Sequence, residues 1–372
     1  MASALEQVKQ QDWATISRRY QADDVKGFVQ VLTTLGPLAA LWYAVAPSAG
    51  ISLWLTAAIT LLMTLFLVRA FVLMHECGHG SLFLSPRLNR AFGFVFGVVS
   101  GMPQFVWAKH HAYHHATNGN WRKYRGPLDT RSVEEFRAMT GGQQRRYELG
   151  RRIWMAPIGG FLYLILNPRL SWLAGSLAFA GHMLRGRQPG VSFRAHASAF
   201  RTRYWGDAKE YWHMFWNNVV LLAAWVLMSL WMGPALFFSV YLASVSLAGG
   251  GAILIFTVQH NFEHSYASDD EGWDADEAAL RGTSFLDLSP VANWFTATIA
   301  YHHVHHLSAR IPNYCLAECH DEYRDLFAGV KRIRLFEVRE ALRHILWDTA
   351  SRRVISVAEF RRQPAPAPSV PR

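Results

Sequence analysis

Charged residues are few in this chain and are almost missing from long parts of it. Asp, Glu, Lys and Arg make up 17% of the 372 residues, whereas hydrophobic residues make up 51%. Four apolar runs contain one charged residue between them, Arg69; they are residues 28–46, 51–74, 214–232 and 235–256. Helices of soluble proteins rarely extend over about 20 residues without charge. The pattern argues against a soluble protein and predicts four membrane-spanning helices.

Cysteine is also scarce, which excludes a disulfide-based framework. The chain has three cysteines, Cys77, Cys315 and Cys319. The spacing of Cys315, Cys319 and His320 matches no standard zinc site, so we expect these residues to be structural.

Basic residues are absent from the two turns that would join the apolar runs into hairpins, residues 47–50 and 233–234. Apart from Arg69, the Lys and Arg residues lie in 1–27, 75–213 and 257–372. The positive-inside rule therefore predicts a multi-pass protein of the inner (cytoplasmic) membrane with both termini in the cytoplasm.

The net charge of +10 is explained by a basic cytoplasmic surface that faces anionic lipid headgroups. No nucleic-acid-binding motif accompanies it, so we expect no nucleic-acid partner. The acidic residues ahead of the first apolar run are not typical of a cleaved signal peptide; they are Glu6, Asp12, Asp23 and Asp24.

Two shorter apolar stretches, residues 91–107 and 153–166, are predicted to lie in the membrane interface or to enter the membrane and return. The predicted fold is an all-α membrane protein with interfacial helices and a cytosolic helical cap. Its predicted parts are a cytosolic N-terminal segment (1–27), a membrane domain (28–325), a cytosolic helical segment (326–362) and a disordered tail (363–372).

Histidine is abundant, and ten of the 17 histidines fall into four tight groups. Spacings of three and four residues place side chains on one helix face. The groups lie at the ends of the apolar runs or shortly after them on one side, so they can converge. Clusters of ionisable residues at membrane depth are costly and usually functional. We therefore expect metal ligands at His75 and His79, at His111, His114 and His115, at His260 and His264, and at His302, His305 and His306.

Helix geometry alone leaves the ligands of the last group open. In "YHHVHH", residues 301–306, two triplets share an arc of about 100° at 100° per residue. One is 302, 305 and 306, and the other is 302, 303 and 306. The stretch "HHAYHH" at 110–115 leaves a similar choice open.

The number of histidines bears on the metal. One ion takes four to six ligands, so nine or ten histidines imply two ions, and imidazole suits Fe, Zn, Cu or Ni. Zinc cannot change its oxidation state, whereas two irons can use dioxygen to attack an unactivated C–H bond. We therefore expect two iron ions with dioxygen as co-substrate, and no bound organic cofactor.

One motif supports a different enzyme. "HECGH" at 75–79 matches the H-E-x-x-H helix of zinc proteases, with Glu76 as general base. A membrane zinc protease would need only one or two further ligands and would leave most of the clustered histidines unused. We expect instead that Glu76 and Glu263 orient imidazoles through their second ring nitrogen.

The quoted histidine motifs together resemble those of the membrane fatty acid desaturases, most closely the bacterial acyl-lipid branch related to plant plastid-type enzymes. The motifs are "HECGHGS", "WAKHHAYHH", "VQHNFEH" and "YHHVHHLSARIPNY". The resemblance extends from about residue 51 to 325. It implies a four-span protein with a histidine-bound di-iron centre and an acyl tunnel, which inserts a cis double bond using dioxygen and two electrons.

The resemblance also selects ligands. It assigns His302, His305 and His306 as the metal ligands of the last group, and His111, His114 and His115 as those of the second group. It places His303 and His110 outside the ligand set. His264 matches an additional metal ligand that precedes the last histidine group in this family. His260 stands where some relatives have a water-bridging Asn, so it is a ligand directly or through water.

No H-P-G-G motif of a fused cytochrome b5 is present, so the electrons must come from a separate protein with its reductase. A ferredoxin is the expected donor, with a cytochrome b5 or rubredoxin type as alternatives, and Arg122, Lys123 and Arg125 are its candidate docking residues. The expected substrate is the acyl chain of a membrane lipid.

Other functions share these features. An acyl hydroxylase, or an oxygenase acting on carotenoids or alkanes, would use the same iron centre. A non-catalytic membrane protein that handles heme or metal would bind metal without consuming dioxygen. Four aromatic residues near the motifs receive no assigned role: Trp107, Tyr113, Phe262 and Trp294.

Overall fold

Helices dominate the computed structural model, which describes residues 4–126, 128–186 and 190–363. The helices up to residue 184 are α1 (Ala4–Lys9), α2 (Trp13–Arg19), α3 (Asp24–Ile51), α4 (Leu53–His79), α5 (Pro86–Ser100), α6 (Gln104–Thr117), α7 (Val133–Ala138), α8 (Gly141–Leu149), α9 (Ala156–Phe161) and α10 (Asn167–Leu184). The later helices are α11 (Phe193–Ala199), α12 (Ala208–Met232), α13 (Pro234–His260), α14 (Ala275–Arg281), α15 (Pro290–Phe295), α16 (His302–Leu307), α17 (Leu316–Glu322), α18 (Val338–Ala341) and α19 (Val357–Arg362). The strands are β1 (Arg131–Ser132), β2 (Ser284–Asp287), β3 (Lys331–Arg334), β4 (His344–Asp348) and β5 (Arg353–Ser356).

Four of these helices are long and apolar enough to cross a membrane: α3, α4, α12 and α13. Helices α3, α12 and α13 contain the runs 28–46, 214–232 and 235–256, and α4 contains the run 51–74 except for its first two residues. The predicted all-α membrane protein with four spanning helices is therefore confirmed. Of the predicted disordered tail, only Gln363 lies within the described residues.

The first predicted turn is wrong, and the second is confirmed. Helix α3 continues through residues 47–50 to Ile51, and the chain turns at Ser52. Ser52 is extended, its N–H donates to the carbonyl of Ser48, and its side chain accepts from the N–H of Trp54. One serine thus ends α3 and caps α4. The second turn lies at Gly233, whose φ of 84° suits glycine, between α12 and α13.

The described residues form two units. The helical unit comprises residues 22–112 and 157–251, and the mixed unit comprises residues 4–21, 113–156 and 252–363. Helices α6 and α13 contribute residues to both units.

In the helical unit, α3 packs along α4. The one charged residue of the four apolar runs, Arg69, is buried there and donates hydrogen bonds to Thr34 Oγ1 (3.0 Å) and Gln30 Oε1 (3.1 Å). A buried charge needs such hydrogen-bond partners. This contact explains how an arginine is accommodated in a spanning helix.

Helices α5 and α6 meet at a bend of 99°. Gly101 (φ 78°) ends α5, and its carbonyl accepts a hydrogen bond from Arg169 Nη1. A bend of this size is compatible with a broken span or with a segment that enters the membrane and returns. Its first arm contains most of the stretch 91–107, for which the sequence predicts this behaviour.

The mixed unit contains two small sheets that the sequence did not predict. Strand β4 pairs parallel with β1 and antiparallel with β5, while β2 and β3 form a parallel pair. Segment 326–362, predicted to be helical, is therefore mixed. Its strands "HILWD" and "RVIS" are rich in β-branched and aromatic residues, which favour sheet over helix.

Helix α9 closely approaches α13 in the helical unit. A Cβ added to Gly160 would lie 2.3 Å from backbone atoms of Gly249 and Gly250. Glycine is therefore required there for two backbones to come into contact, as in other small-residue contacts between membrane helices.

We predict that Gly160→Ala lowers the thermal stability of the detergent-solubilised protein, because overpacking typically costs about 1–3 kcal/mol. The matched control is Gly36→Ala, since a Cβ at Gly36 meets no atom within 4 Å. This control should melt with the wild type or slightly above it. Equal melting temperatures for Gly160→Ala and the wild type would contradict the close helix contact.

Candidate metal centre

In the helical unit, three of the predicted ligands come together from two helices. His75 and His79 share one face near the end of α4, and His111 lies on α6. Their ring centroids are 4.5–5.0 Å apart, and each offers a ring nitrogen within 4.8 Å of the others. Gly78 brings the helices close, since a Cβ there would lie 3.1 Å from that of Ala108. We call these three histidines the trio.

Glu76 lies next to the trio and is fully buried. One carboxylate oxygen is 3.0 Å from His75 Nδ1, and the other accepts a hydrogen bond from Ser81 Oγ at 2.9 Å. Because the carboxylate lies at Nδ1, Nε2 of His75 is the nitrogen that would bind a metal. This is the orienting geometry predicted for Glu76. A protease base would instead need an oxygen that can reach a water molecule.

Trp107 stacks on His111, with ring centroids 4.5 Å apart and ring planes 15° apart. Its Nε1 donates to the hydroxyl of Tyr163 at 3.0 Å, and Phe71 packs against its edge. The sequence shows Trp107 four residues before His111 but carries no signal for Tyr163, 56 positions away. The trio is thus held by aromatic contacts on its apolar side.

In the mixed unit, four predicted ligands come together from three helices. His114 lies near the end of α6, His260 is the last residue of α13, and His302 and His306 share one face of α16. Each offers a ring nitrogen within 4.8 Å of the other three, and Nε2 of His302 is 2.9 Å from Nε2 of His260. We call these four histidines the quartet.

The quartet is a set of imidazole nitrogen donors. Burial, and then the neighbouring histidines, hold the pKa of His306 well below its ordinary value, so its imidazole is neutral near pH 7. Its Nε2 is buried and has no hydrogen-bond partner among the described residues. Nδ1 of His260 lies 3.2 Å from the carbonyl oxygen of Gly282, which directs Nε2 of His260 towards the group. Such a donor set fits Fe, Zn or Cu rather than Mg or Ca.

Two further predicted ligands form a pair in the mixed unit. Nε2 of His115 lies 3.1 Å from Nε2 of His305, and His305 is fully buried. The ring of His115 also stacks on His306, with centroids 4.2 Å apart. The last histidine group, residues 302–306, thus contributes to two clusters. His302 and His306 belong to the quartet, and His305 faces His115.

His264 is the one predicted ligand that the structure does not bring to a histidine group. Helix α13 ends at His260, so His264 lies in the following turn with φ 63°, and its side chain is 70% exposed. Glu263, predicted to orient an imidazole, is also exposed and lies 3.7 Å from His264. The helix end therefore separates two residues that a continued helix would have placed on one face.

The two histidines that the resemblance left out of the ligand set also lie outside the groups. His303 is fully buried, and its Nε2 is 2.8 Å from Nδ1 of His320 on α17. His110 is exposed on α6. Cys315 and Cys319 are buried in an apolar core of the mixed unit, consistent with the structural role expected for them.

Ser81 is the contact that the sequence interpretation missed. It belongs to "HECGHGS" at 75–81, so a hydroxyl close to Glu76 was already visible in the motif. Of the four aromatic residues near the motifs, Tyr113 and Trp294 are exposed, whereas Phe262 is buried.

Comparisons with known proteins give the family context. A fatty acid desaturase of Bacillus subtilis is 30% identical over 349 residues, which cover 94% of this chain and 90% of that protein. An sn-1 oleoyl-lipid 12-desaturase of Synechocystis is 25% identical over 315 residues, covering 81% and 76%. An oleate hydroxylase of Claviceps purpurea is 28% identical over 178 residues, covering 45% and 37%.

The family model described as fatty acid desaturase matches residues 52–336, most of the chain and all the histidine groups. The trio, the quartet and three of the four spanning helices, α4, α12 and α13, lie within that match. The chain therefore belongs to the fatty acid desaturase family.

Proposed function

We propose that this protein inserts a cis double bond into an acyl chain of a membrane lipid, using dioxygen and two electrons at a di-iron centre. Family membership makes it a desaturase and an oxidoreductase. The observation that supports the metal centre best is the quartet, four imidazoles gathered from three helices. Desolvating four imidazoles without a common ligand would be costly.

Two metal ions are proposed because the grouped histidines exceed the ligand number of one ion. The quartet would hold one ion, and the trio would supply ligands to the other. The nine proposed ligands are His75, His79, His111, His114, His115, His260, His302, His305 and His306. When bound, iron would supply the redox chemistry by which dioxygen removes hydrogen from unactivated carbon, which zinc cannot supply.

The remaining contacts serve to orient the ligands. Glu76 and Ser81 fix the ring of His75, and the carbonyl of Gly282 fixes that of His260. Such partners usually hold the tautomer of a metal-binding imidazole. Trp107, anchored by Tyr163, keeps water from one face of His111. These residues would position the centre rather than react.

The proposed reaction is desaturation rather than hydroxylation. The relatives named as desaturases align with 81–94% of this chain, whereas the hydroxylase aligns with 45% of it. The lipid-bound acyl substrate is proposed from the name of the Synechocystis relative and from the four spanning helices.

The electron donor is proposed to be a separate ferredoxin with its reductase. The suggested docking residues are mostly engaged within the chain, because Lys123 pairs with Asp270 and Arg125 with Glu135. Arg122 has no ion pair among the described residues. These arginine and lysine residues therefore offer the donor less free charge than their number suggests.

An inner-membrane location with both termini in the cytoplasm is proposed from the distribution of Lys and Arg. It places the histidine-bearing ends of α4 and α13 at the cytoplasmic face, where a soluble donor has access.

The reaction is tested by expression in a bacterium that lacks desaturases, together with a ferredoxin and its reductase. Mass spectrometry of the fatty acids should reveal new unsaturated chains, and the cleavage pattern of derivatised products should give the double-bond position. Hydroxylated chains would instead establish the hydroxylase. Unchanged lipids alongside a positive-control desaturase in the same host would contradict the proposed reaction.

The proposed ligand register is tested by comparing neighbouring histidines. We expect His302→Ala to reduce product by more than about 100-fold. Loss of a residue that only hydrogen-bonds to a metal ligand already lowers metal affinity or activity by about 10–100-fold. His303→Gln should mainly reduce stability, by about 1–3 kcal/mol, since it removes the partner of the half-buried His320. Iron per purified protein separates the two effects, because it should fall in the first variant and not in the second. Loss of iron from His303→Gln alone would reverse the assignment.

The roles of His260 and His264 are tested in the same way. His260→Ala removes a member of the quartet and should lower both iron content and product strongly. His264→Ala changes an exposed side chain and should leave iron content within experimental error of the wild type. The opposite ranking would show that the turn after α13 rearranges to bring His264 to the metal.

A further inference from the structure

The mixed unit contains a groove that involves none of the histidine groups. Its volume is about 630 Å³. Five arginines and one glutamate line it; the arginines are Arg151, Arg152, Arg339, Arg343 and Arg361. They come from three separate parts of the chain: the segment after α8, the region of α18, and α19. The fold thus gathers positive charge that is dispersed in the sequence.

Three of the five arginines are engaged within the chain. Arg361 pairs with Glu148 at 2.6 Å, and Arg343 pairs with Glu340 at 2.9 Å. Arg151 donates hydrogen bonds to the carbonyls of Asp129 and Tyr147.

The other two arginines carry the free charge of the groove. Arg152 and Arg339 are exposed, and neither has an ion pair among the described residues. The single glutamate of the lining is already paired with Arg361. The groove therefore presents uncompensated guanidinium groups, which favour a phosphate or carboxylate.

The groove is apolar as well as basic. Ile153 and Trp154 line it and are 44% and 57% exposed, although both are large hydrophobic residues. They are the first two residues of the apolar stretch 153–166. Tryptophan concentrates where lipid headgroups meet the acyl region. An occupant with an anionic head and an apolar tail satisfies both parts of the lining.

We propose that this groove binds the phosphate of an anionic phospholipid, with Arg152 and Arg339 contacting the headgroup and Trp154 the start of the acyl region. A soluble acidic protein would match the charge but would leave Ile153 and Trp154 without an apolar partner. Inorganic phosphate would match the arginines alone. The site is independent of the metal centre, so it does not rest on the proposed reaction.

The test measures lipid binding to the purified, delipidated full-length protein in detergent by native mass spectrometry. Dioleoyl-phosphatidylglycerol should bind as one tight equivalent, and dioleoyl-phosphatidylcholine at least about tenfold more weakly. Arg152→Gln/Arg339→Gln should weaken phosphatidylglycerol binding by about 30-fold, because each basic residue near a lipid surface contributes about 1 kcal/mol. Both residues are exposed, so the variant should melt with the wild type.

The matched control is Arg145→Gln/Arg146→Gln, which removes two exposed arginines of α8 in the same unit that do not line the groove. It should bind phosphatidylglycerol as the wild type does. A second variant, Trp154→Ala, keeps the charge and should also weaken lipid binding.

Three results would overturn the proposal. The first is equal loss of lipid binding in the groove and control variants, which indicates a diffuse charge effect. The second is binding of inorganic phosphate as tightly as of the lipid. The third is unchanged lipid binding in the groove variant with impaired reduction by ferredoxin, which would identify an acidic protein as the occupant.

Discussion

Imidazole is neutral when buried yet retains a lone pair for a metal, and the arrangement of this protein depends on that property. A carboxylate in the same position needs compensating partners, as Glu76 shows with His75 and Ser81. A buried histidine needs fewer compensating partners, because burial itself favours its uncharged form, as the lowered pKa of His306 illustrates. Four such rings can therefore each offer a nitrogen within 4.8 Å of the nitrogens of the other three. A metal bound there would compensate their shared loss of solvation.

Long helices provide the rigidity that this packing requires. His79 and His260 are the last residues of α4 and α13, so each stands where an apolar helix stops. Gly80, in the left-handed conformation, ends α4 directly after His79. Gly78 allows α6 to approach α4 closely enough for His111 to contact His75 and His79. Positions of ligands are thus set by backbone contacts, which vary less than side-chain rotamers do.

The spans and the histidine groups could be predicted because both are local patterns. Absence of charge over a run marks a spanning helix, and spacings of three and four mark a helix face. Two features that depend on where a helix ends differ from the prediction. His264 was expected as a ligand because a helix continued from His260 would place it on the same face, but α13 ends first. The turn at Ser52 was likewise misplaced, since proline and glycine at 47–50 were accommodated inside α3.

The contacts of the individual histidines in the last group, residues 302–306, depend on residues far away in the chain. Helix geometry allowed 303 or 305 equally, and the resemblance favoured 305. In the structure the two side chains have different partners, because His303 is bonded to His320 on α17 while His305 faces His115. Strands β4 and β5 were missed for a related reason. Their stability comes from pairing with each other and with β1, which lies more than 200 positions earlier.

The histidine groups alone do not determine which reaction follows. The chain is similar both to relatives named as desaturases and to one named as a hydroxylase. The residues that decide between the two reactions must therefore be sought around the histidine groups. Positioning of the acyl chain decides whether a second hydrogen is removed or an oxygen is transferred. In the helical unit, the ring of Trp107 contacts both His75 and His111 and is hydrogen-bonded to Tyr163. A change in the packing of Trp107 would therefore reach two imidazoles of the trio at once.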